Sequence, residues 1–342
     1  MRGGANRRVL DAIVKDGRIF DAWDDEKWVV KGVAVRVSLI CFSAYTEERQ
    51  PQLDGKPVER VGADLTVSKS DLTTAQRLTE NKGIAFMGDT KGGAFDVPGE
   101  LARRWLLLPL NPNGRPNSDV LRPWMNGMDL TRRSADKWII DFGWEMDERE
   151  AALYEAPFAH CLANVKPERD KNRREAYRRF WWRHVEPPPG MLAALKPLTR
   201  GIATPTVATH RLFVPVPTTV CPDHQLIIVA RDDDITTGIL QSRFHDAWSI
   251  GLCTWLGVGN DPRYTPSTTF ETFPFPNGLT PNILPAEYAD DPRAIAIAKA
   301  ARRLNDLREA WLNPPDLIER VPEVVPGYPD RIIPVSRKRL RS

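Results

Sequence analysis

Val33-Ala34-Val35-Arg36-Val37-Ser38-Leu39-Ile40-Cys41-Phe42 is the stretch on which the reading of the fold turns. Val33, Val35, Val37, Leu39 and Cys41 alternate with Ala34, Arg36, Ser38, Ile40 and Phe42, a period of two with one wholly apolar face. A strand of this kind is expected to be central in a sheet and covered by helices. Just upstream, residues 7–15 predict a short helix stopped by Gly17, and Ile19-Phe20 opens an extended run towards Trp28-Val29-Val30. A single helix and a pair of strands do not close a doubly wound core. Residues 1–45 are therefore expected to be the closing part of an α/β sheet whose other elements lie outside this sequence.

Composition sets the frame around that stretch. The 342 residues predict about two domains. With 42% hydrophobic and 27% charged residues the chain can bury real cores and is not intrinsically disordered. The balance of 48 Lys+Arg against 45 Asp+Glu leaves +3, too small a surplus to identify a binder of polyanions. Thirty prolines, nearly double the usual share, exclude a long coiled coil or an all-helical bundle. Cysteines at 41, 161, 221 and 253 have neither zinc-ribbon spacing nor a disulfide framework. No apolar run reaches the roughly 18 residues of a membrane span, and the basic start is not followed by the apolar core of a secretory signal. The expectation is a soluble, cytoplasmic, mixed α/β (α+β) protein that does not engage a membrane.

From residue 46 to about 276 short apolar stretches are broken by Gly and Pro, at 83–87, 105–110, 138–142, 212–216 and 226–230. Between them lie loops such as Asn111-Pro112-Asn113-Gly114-Arg115-Pro116-Asn117. This predicts a β-rich domain with inserted helices. One helix is expected over 169–184, closed by Pro187-Pro188-Pro189. Another should start near Thr237 and end at Gly251, carrying Leu240, Phe244 and Trp248 at four-residue spacing. A third is expected over 293–311, with Ile297, Ala300, Leu304, Leu307 and Trp311 forming an apolar stripe. The last twelve residues hold five basic side chains and no acidic one.

The densest chemical signal is residues 166–183. Eight of these eighteen are Lys or Arg, interleaved with Tyr177, Phe180, Trp181 and Trp182. On a helical projection the rings Tyr177, Phe180 and Trp181 share one arc, and Lys171, Arg174, Arg178 and Arg179 share another. Taken alone, a docked helix with a solvated charged face is the commoner explanation. The alternative sets the guanidinium row against a phosphate backbone, where each neutralised phosphate releases a counterion. His210-Arg211 flanks an alternating segment, and Arg243 and His245 fall on the helix expected after Thr237. Each could donate to base edges, although local salt bridges and structural hydrogen bonds are the commoner fate of such residues.

Several tempting motifs fail on chemistry. In Asn313-Pro314-Pro315-Asp316 the fourth residue is not the aromatic that an Asn-Pro-Pro-aromatic loop stacks on a flipped base, and a helix precedes it. Gly257-Val258-Gly259 is followed by Asp261-Pro262, so no helix dipole can serve an anion there. Gly88-Asp89-Thr90-Lys91-Gly92-Gly93 lacks phosphate-loop spacing, and Asp25-Glu26-Lys27 is half of a nuclease acidic cluster without a second acidic strand. No Ser/His/Asp nucleophile set or metal-ligand cluster emerges.

Several phrases together carry a resemblance. They are Arg2-Gly3-Gly4-Ala5-Asn6-Arg7, Ala34-Val35-Arg36-Val37-Ser38, residues 88–95 followed by Pro98-Gly99-Glu100-Leu101, and Lys166-Pro167-Glu168-Arg169. Further on come Gln241-Ser242-Arg243-Phe244-His245 with Trp248, Arg263-Tyr264-Thr265-Pro266, and Thr269-Phe270-Glu271-Thr272-Phe273-Pro274-Phe275-Pro276. In this order, over nearly the whole chain, the sequence resembles the C-terminal portion of adenine-specific DNA methyltransferases of the single-chain Type II restriction–modification kind. In that family an endonuclease and a helical linker precede a Rossmann-like S-adenosylmethionine domain, then a target recognition domain and a helical tail.

The resemblance implies that residues 1–45 are the remnant of the methyltransferase sheet, 46–276 the β-rich DNA target recognition domain, and 277–342 a truncated C-terminal helical segment. The family's cofactor glycine motif and its Asn-Pro-Pro-aromatic loop fall upstream of the matched region, as does the nuclease. The implied function is DNA recognition for an adenine N6 methyltransferase, inactive alone. S-adenosylmethionine would belong to the complete enzyme and no cofactor to this chain. The implied partners are double-stranded DNA and a separately encoded N-terminal methyltransferase half. The other class of reading is a stand-alone DNA-binding module, or the non-functional fragment of a disrupted gene. By the resemblance Arg173, Arg174, Arg178, Arg179 and Arg183 would position the duplex, and Thr209, His210, Arg211 and Arg243 would specify it.

Overall fold

Gly17 ends the first helix because no side chain fits there: a Cβ would lie 2.2 Å from the Ser43 carbonyl oxygen. The computed structural model describes residues 5–30, 32–44, 49–67, 72–256 and 261–335. Arg2, Gly3 and Gly4, the Gly257-Val258-Gly259 motif and most of the basic C-terminal run lie outside the described residues. The chain divides into two units, residues 1–76 and 77–342.

In the first unit the helix Ala5–Asp16 precedes β1 (Arg18–Val30) and β2 (Val33–Ser43), an antiparallel pair turned at Gly32, whose φ is +81°. β3 (Gln52–Leu53) runs parallel to β1, and β4 (Lys56–Pro57) completes the order β2-β1-β3-β4. Leu10, Ile19, Ala22, Val61 and Leu65 form its core. The strand over 33–42 is therefore present, but it is an edge strand in a hairpin and not the central strand the apolar alternation predicts. Alternation reports which side chains avoid water, not how many strands flank them. Only the first half of β1 reaches the core: after an irregularity between Trp23 and Glu26, Trp28, Val29 and Val30 are 51%, 66% and 48% exposed. Across this outer half Arg36 Nε donates to Asp25 Oδ1 at 2.6 Å.

The second unit contains β5 (Ala85–Met87), β6 (Asp96–Pro98), β7 (Leu121–Met125), β8 (Lys137–Ile140), β9 (Arg200–Pro205), β10 (Val214–Pro217), β11 (Cys221–Pro222) and β12 (Leu226–Val229). They form two four-stranded sheets, β10-β9-β12-β5 and β11-β7-β8-β6. The chain is thus a mixed α/β protein of several small sheets, as its texture predicts. Four of the five apolar stretches contain strands. The one at 105–110 does not: the helix Gly99–Leu106 ends inside it, and Leu107, Leu108 and Leu110 stay exposed. Residues 269–276 supply core: Phe270, Phe273 and Phe275 are buried, and the buried Asn81 amide donates to Phe270 O and Phe273 O at 3.2 and 2.8 Å.

The last long helix, Pro292–Leu312, is capped by Asp291 and stops at Asn313. Its buried side is Ala294, Ala298 and Ala301, not the expected stripe. Small residues win because the helix lies close against the helix Asp234–Leu240, where a Cβ on Gly238 would sit 2.6 Å from Ile297. Leu304, Leu307 and Trp311 remain exposed, and Leu304 and Trp311 line an open apolar groove of about 370 Å³ with Leu212. No helix among the described residues is long and apolar enough to cross a membrane.

Candidate nucleic-acid interface

The helix expected over 169–184 is not one rod. Helices Lys166–Asp170 and Glu175–Arg179 are separated where the Asn172 side chain accepts the Arg174 backbone N–H at 2.9 Å, a local bond that competes with helix continuation. The helical projection of this segment therefore fails, yet its sorting of side chains survives by other means. Trp181 and Trp182 are buried, and their indole N–H groups donate to Glu148 Oε1 and Met146 O, each at 3.0 Å. Arg169 is only 2% exposed; it lies over the rings of Phe95 and Tyr177 and donates to the carbonyls of Lys91 and Arg183, both at 3.0 Å. Arg183 donates to Met146 O at 2.8 Å and lies 4.9 Å from the centre of the Phe180 ring.

The other four guanidiniums behave differently. Arg173, Arg174, Arg178 and Arg179 are exposed. Arg174 donates to the Tyr177 hydroxyl at 2.6 Å and lies over its ring at 5.1 Å. Arg178 donates to the Asn172 carbonyl at 2.5 Å, and Arg179 lies 5.2 Å over Phe180. Among the described residues none of the four is paired with a carboxylate, whereas Lys166 and Lys171 of the same run pair with Asp170 and Glu168 at 2.8 and 3.3 Å.

His184 anchors the end of this run. It is buried, with Nδ1 bonded to Asp89 Oδ2 and Nε2 2.9 Å from the Ile140 carbonyl. Burial alone would lower its pKa, but the Asp89 hydrogen bond and the charges of Asp141 and Asp89 outweigh it and raise the value. Both ring nitrogens then donate, as an imidazolium requires. Asp89, Asp141 and Cys221 hold metal-type ligand atoms within 4.8 Å of one another. Asp89 Oδ2 is, however, already engaged by His184 and by Cys221 Sγ at 3.8 Å. Burial pushes the Cys221 thiol pKa up, so this sulfur is a neutral donor.

Thr209, His210 and Arg211 follow β9 and run along a small ribbon. β13 (Thr254–Leu256) and β14 (Asp261–Arg263) are antiparallel, and Val207 bridges to Arg263. Thr209 Oγ1 donates to Asp261 Oδ1 at 2.8 Å, and the Tyr264 N–H donates to Thr206 O at 2.7 Å. Arg211 is the clamp: it donates to Pro205 O, and to Pro262 O at 2.9 Å, with the Tyr264 ring 5.2 Å below its guanidinium. Burial lowers its pKa. Beneath the clamp, His245 Nδ1 donates to Leu240 O at 2.8 Å, leaving Nε2 to accept the Tyr264 hydroxyl at 3.0 Å. Burial lowers the His245 pKa to about 4, so this histidine is neutral.

The helix expected from Thr237 is likewise two, Asp234–Leu240 and Arg243–Leu252, because Ser242 caps the second by accepting the His245 N–H at 3.3 Å. The four-residue spacing makes no stripe: Leu240 is buried, Phe244 is 84% exposed, and Trp248 donates to Thr272 Oγ1 at 3.1 Å. Arg243 and His210 are exposed and unpaired among the described residues. Of the candidates, the structure brings Thr209 and Arg211 onto one ribbon and sets Arg243 two residues before the buried His245. Arg173 to Arg183 form a separate group.

Two residues of this region escape a reading of the sequence alone. Trp255 is 45% exposed on β13, and the Arg263 Nε is buried without any hydrogen-bond acceptor among the described residues. The signal was there only as Arg263 inside Arg263-Tyr264-Thr265-Pro266. The motifs set aside on chemistry have structural duties: Asn313 caps a helix, Asp25 holds Arg36, and a Cβ on Gly88 would meet the Asp223 carbonyl oxygen at 2.3 Å.

No protein-family model matches the chain, and no curated protein matches its sequence. Among solved structures, the Type IIL restriction-modification enzyme MmeI in complex with DNA superposes with a TM-score of 0.60 at 14% identity. The match covers 91% of this chain and 47% of MmeI, so the chain spans about half the length of that enzyme. At this identity the likeness is one of fold.

Proposed function

We propose that this chain binds duplex DNA as the target-recognition portion of a restriction–modification adenine N6 methyltransferase. The observation that carries the reading is the set Arg173, Arg174, Arg178 and Arg179: exposed, held by rings, a hydroxyl and a carbonyl, and free of carboxylates where the neighbouring lysines are not. A guanidinium ordered by non-ionic contacts keeps its full charge for an external anion, and a row of them suits a phosphate backbone. MmeI, with which the chain shares its fold, was solved with DNA. Thr209, His210 and Arg243 supply polar groups to the surface beside this activity, while Arg183 and Arg211 hold their segments in place.

The sequence contains neither a cofactor glycine motif nor an Asn-Pro-Pro-aromatic loop. S-adenosylmethionine, bound to a separately encoded half, would supply the methyl group for an adenine flipped out of the duplex. Two measurements test this reading. Duplex binding should weaken linearly in log K against log salt, and a flat line refutes it. Labelled methyl transfer should be absent with the purified chain and appear when the complementary half is added; transfer by the chain alone refutes that part.

A further inference from the structure

The hydrogen-bond register of three short segments places them side by side. Val207, Arg263 and Thr254 share one row, and Pro262 pairs with Trp255 in the next. Asp261 pairs with Leu256 in the third, where Thr209 donates to the Asp261 carboxylate at 2.8 Å. Arg211, Tyr264 and His245 lock this ribbon from beneath with no charge left to offer solvent from Tyr264 or His245. On the ribbon itself, Val207, Trp255 and Leu256 are 38%, 45% and 43% exposed, an apolar cluster around a guanidinium that has no acceptor. A buried donor without a partner is costly, by roughly 1–3 kcal/mol, and proteins keep such groups where a ligand completes them. A rigid ribbon with one unsatisfied bidentate donor and an aromatic beside it has the dimensions and chemistry of a groove reader.

We infer that this ribbon reads bases in the major groove, with Arg263 donating to the O6 and N7 of a guanine and Trp255 giving apolar contact to the neighbouring base. The inference rests on the DNA-binding reading above and assigns base recognition to residues outside the Arg173–Arg179 row. Arg263 is the specificity-determining residue, and Arg211 is a positioning residue that acts through Tyr264 and Pro262.

The test is selection of bound duplexes from a random pool by the full chain, with thermal melting as the check on folding. Wild type should enrich a consensus containing a fixed guanine. Arg263→Ala should lower discrimination at that position by about 10- to 100-fold, leaving the other positions and the salt slope unchanged. Arg263→Lys, which keeps the charge and loses the fork, should fail to restore it. Trp255→Ala should weaken the consensus duplex by about 10-fold and leave non-specific duplex unaffected. The inference is overturned if Arg263→Ala retains the consensus and lowers the salt slope by about one, or if Arg263→Lys restores discrimination. Salt-dependent binding by wild type without any enriched sequence overturns the ribbon assignment and leaves duplex binding standing. No binding of any duplex by wild type removes both.

Discussion

Arg174 and Arg211 lie over tyrosine rings at nearly the same distance, 5.1 Å from Tyr177 and 5.2 Å from Tyr264. The cation–π contact is shared; the fate of the remaining donors is not. Arg211 delivers them to two backbone carbonyls and becomes a strut between β9 and the ribbon. Arg174 has a single phenolic oxygen, which orders its guanidinium and leaves most of the fork uncommitted. The lesson is that an arginine is available to a polyanion according to how many acceptors the protein has already presented to it, not according to its place in a basic run. Arg169 makes the same point inside the run, being as buried as the tryptophans around it.

The comparison can be broken by mutation. Arg211→Ala should have the largest effect, leaving the carbonyls of Pro205 and Pro262 without their donor and costing about 3 kcal/mol. That corresponds to a drop in Tm of roughly 6–12 °C for a unit of this size. An unchanged melting curve combined with a lower salt slope would reverse the roles assigned to the two arginines. Arg174→Ala with Arg178→Ala should do the opposite: Tm within about 1 °C of wild type, affinity for every duplex reduced by about 10- to 30-fold, and a salt slope shallower by about two.

A subtler effect belongs to His184. Its pKa in the folded chain is raised, so the stabilisation it brings is complete below the unfolded value and fades as pH climbs through the folded one. His184→Gln should therefore flatten the alkaline fall of the wild-type Tm profile, and a variant as pH-sensitive as wild type would exclude the pair with Asp89 as its source. The smallest change is expected from His210→Ala, an exposed and unpaired side chain: no shift in Tm, and less than about threefold in affinity.

Much of the scaffold was legible in the sequence. The helix before Gly17, the strands at 18–30 and 33–43, the apolar strands around 138, 214 and 226, and the long helix after Asp291 all follow from periodicity and capping. What periodicity concealed were interruptions made by single polar side chains, Asn172 and Ser242, which end one helix and start another inside an apparently continuous pattern. The edge position of β2 was hidden because the number of neighbours a strand has is a property of tertiary pairing. Of the candidate site, the arginine run was visible by composition. The division between Arg173, Arg174, Arg178 and Arg179 on one side and Arg169 and Arg183 on the other was not, since it depends on carbonyls of Lys91 and Met146, distant in the chain. Arg263 was invisible for the same reason.

Asp89 joins the two regions just contrasted. Its backbone N–H donates to Pro222 O at 2.8 Å, its carbonyl accepts the His224 N–H at 2.9 Å, and its carboxylate holds His184 at the end of the arginine run. Gly88 lets the two chains come this close. One residue thus bolts together the sheet behind the cationic row and the one that leads into the ribbon. The separation between a backbone grip and a sequence-sensing tip becomes a built-in calliper, which fixes the footprint along the double helix and admits changes of target only by exchange of side chains at the tip.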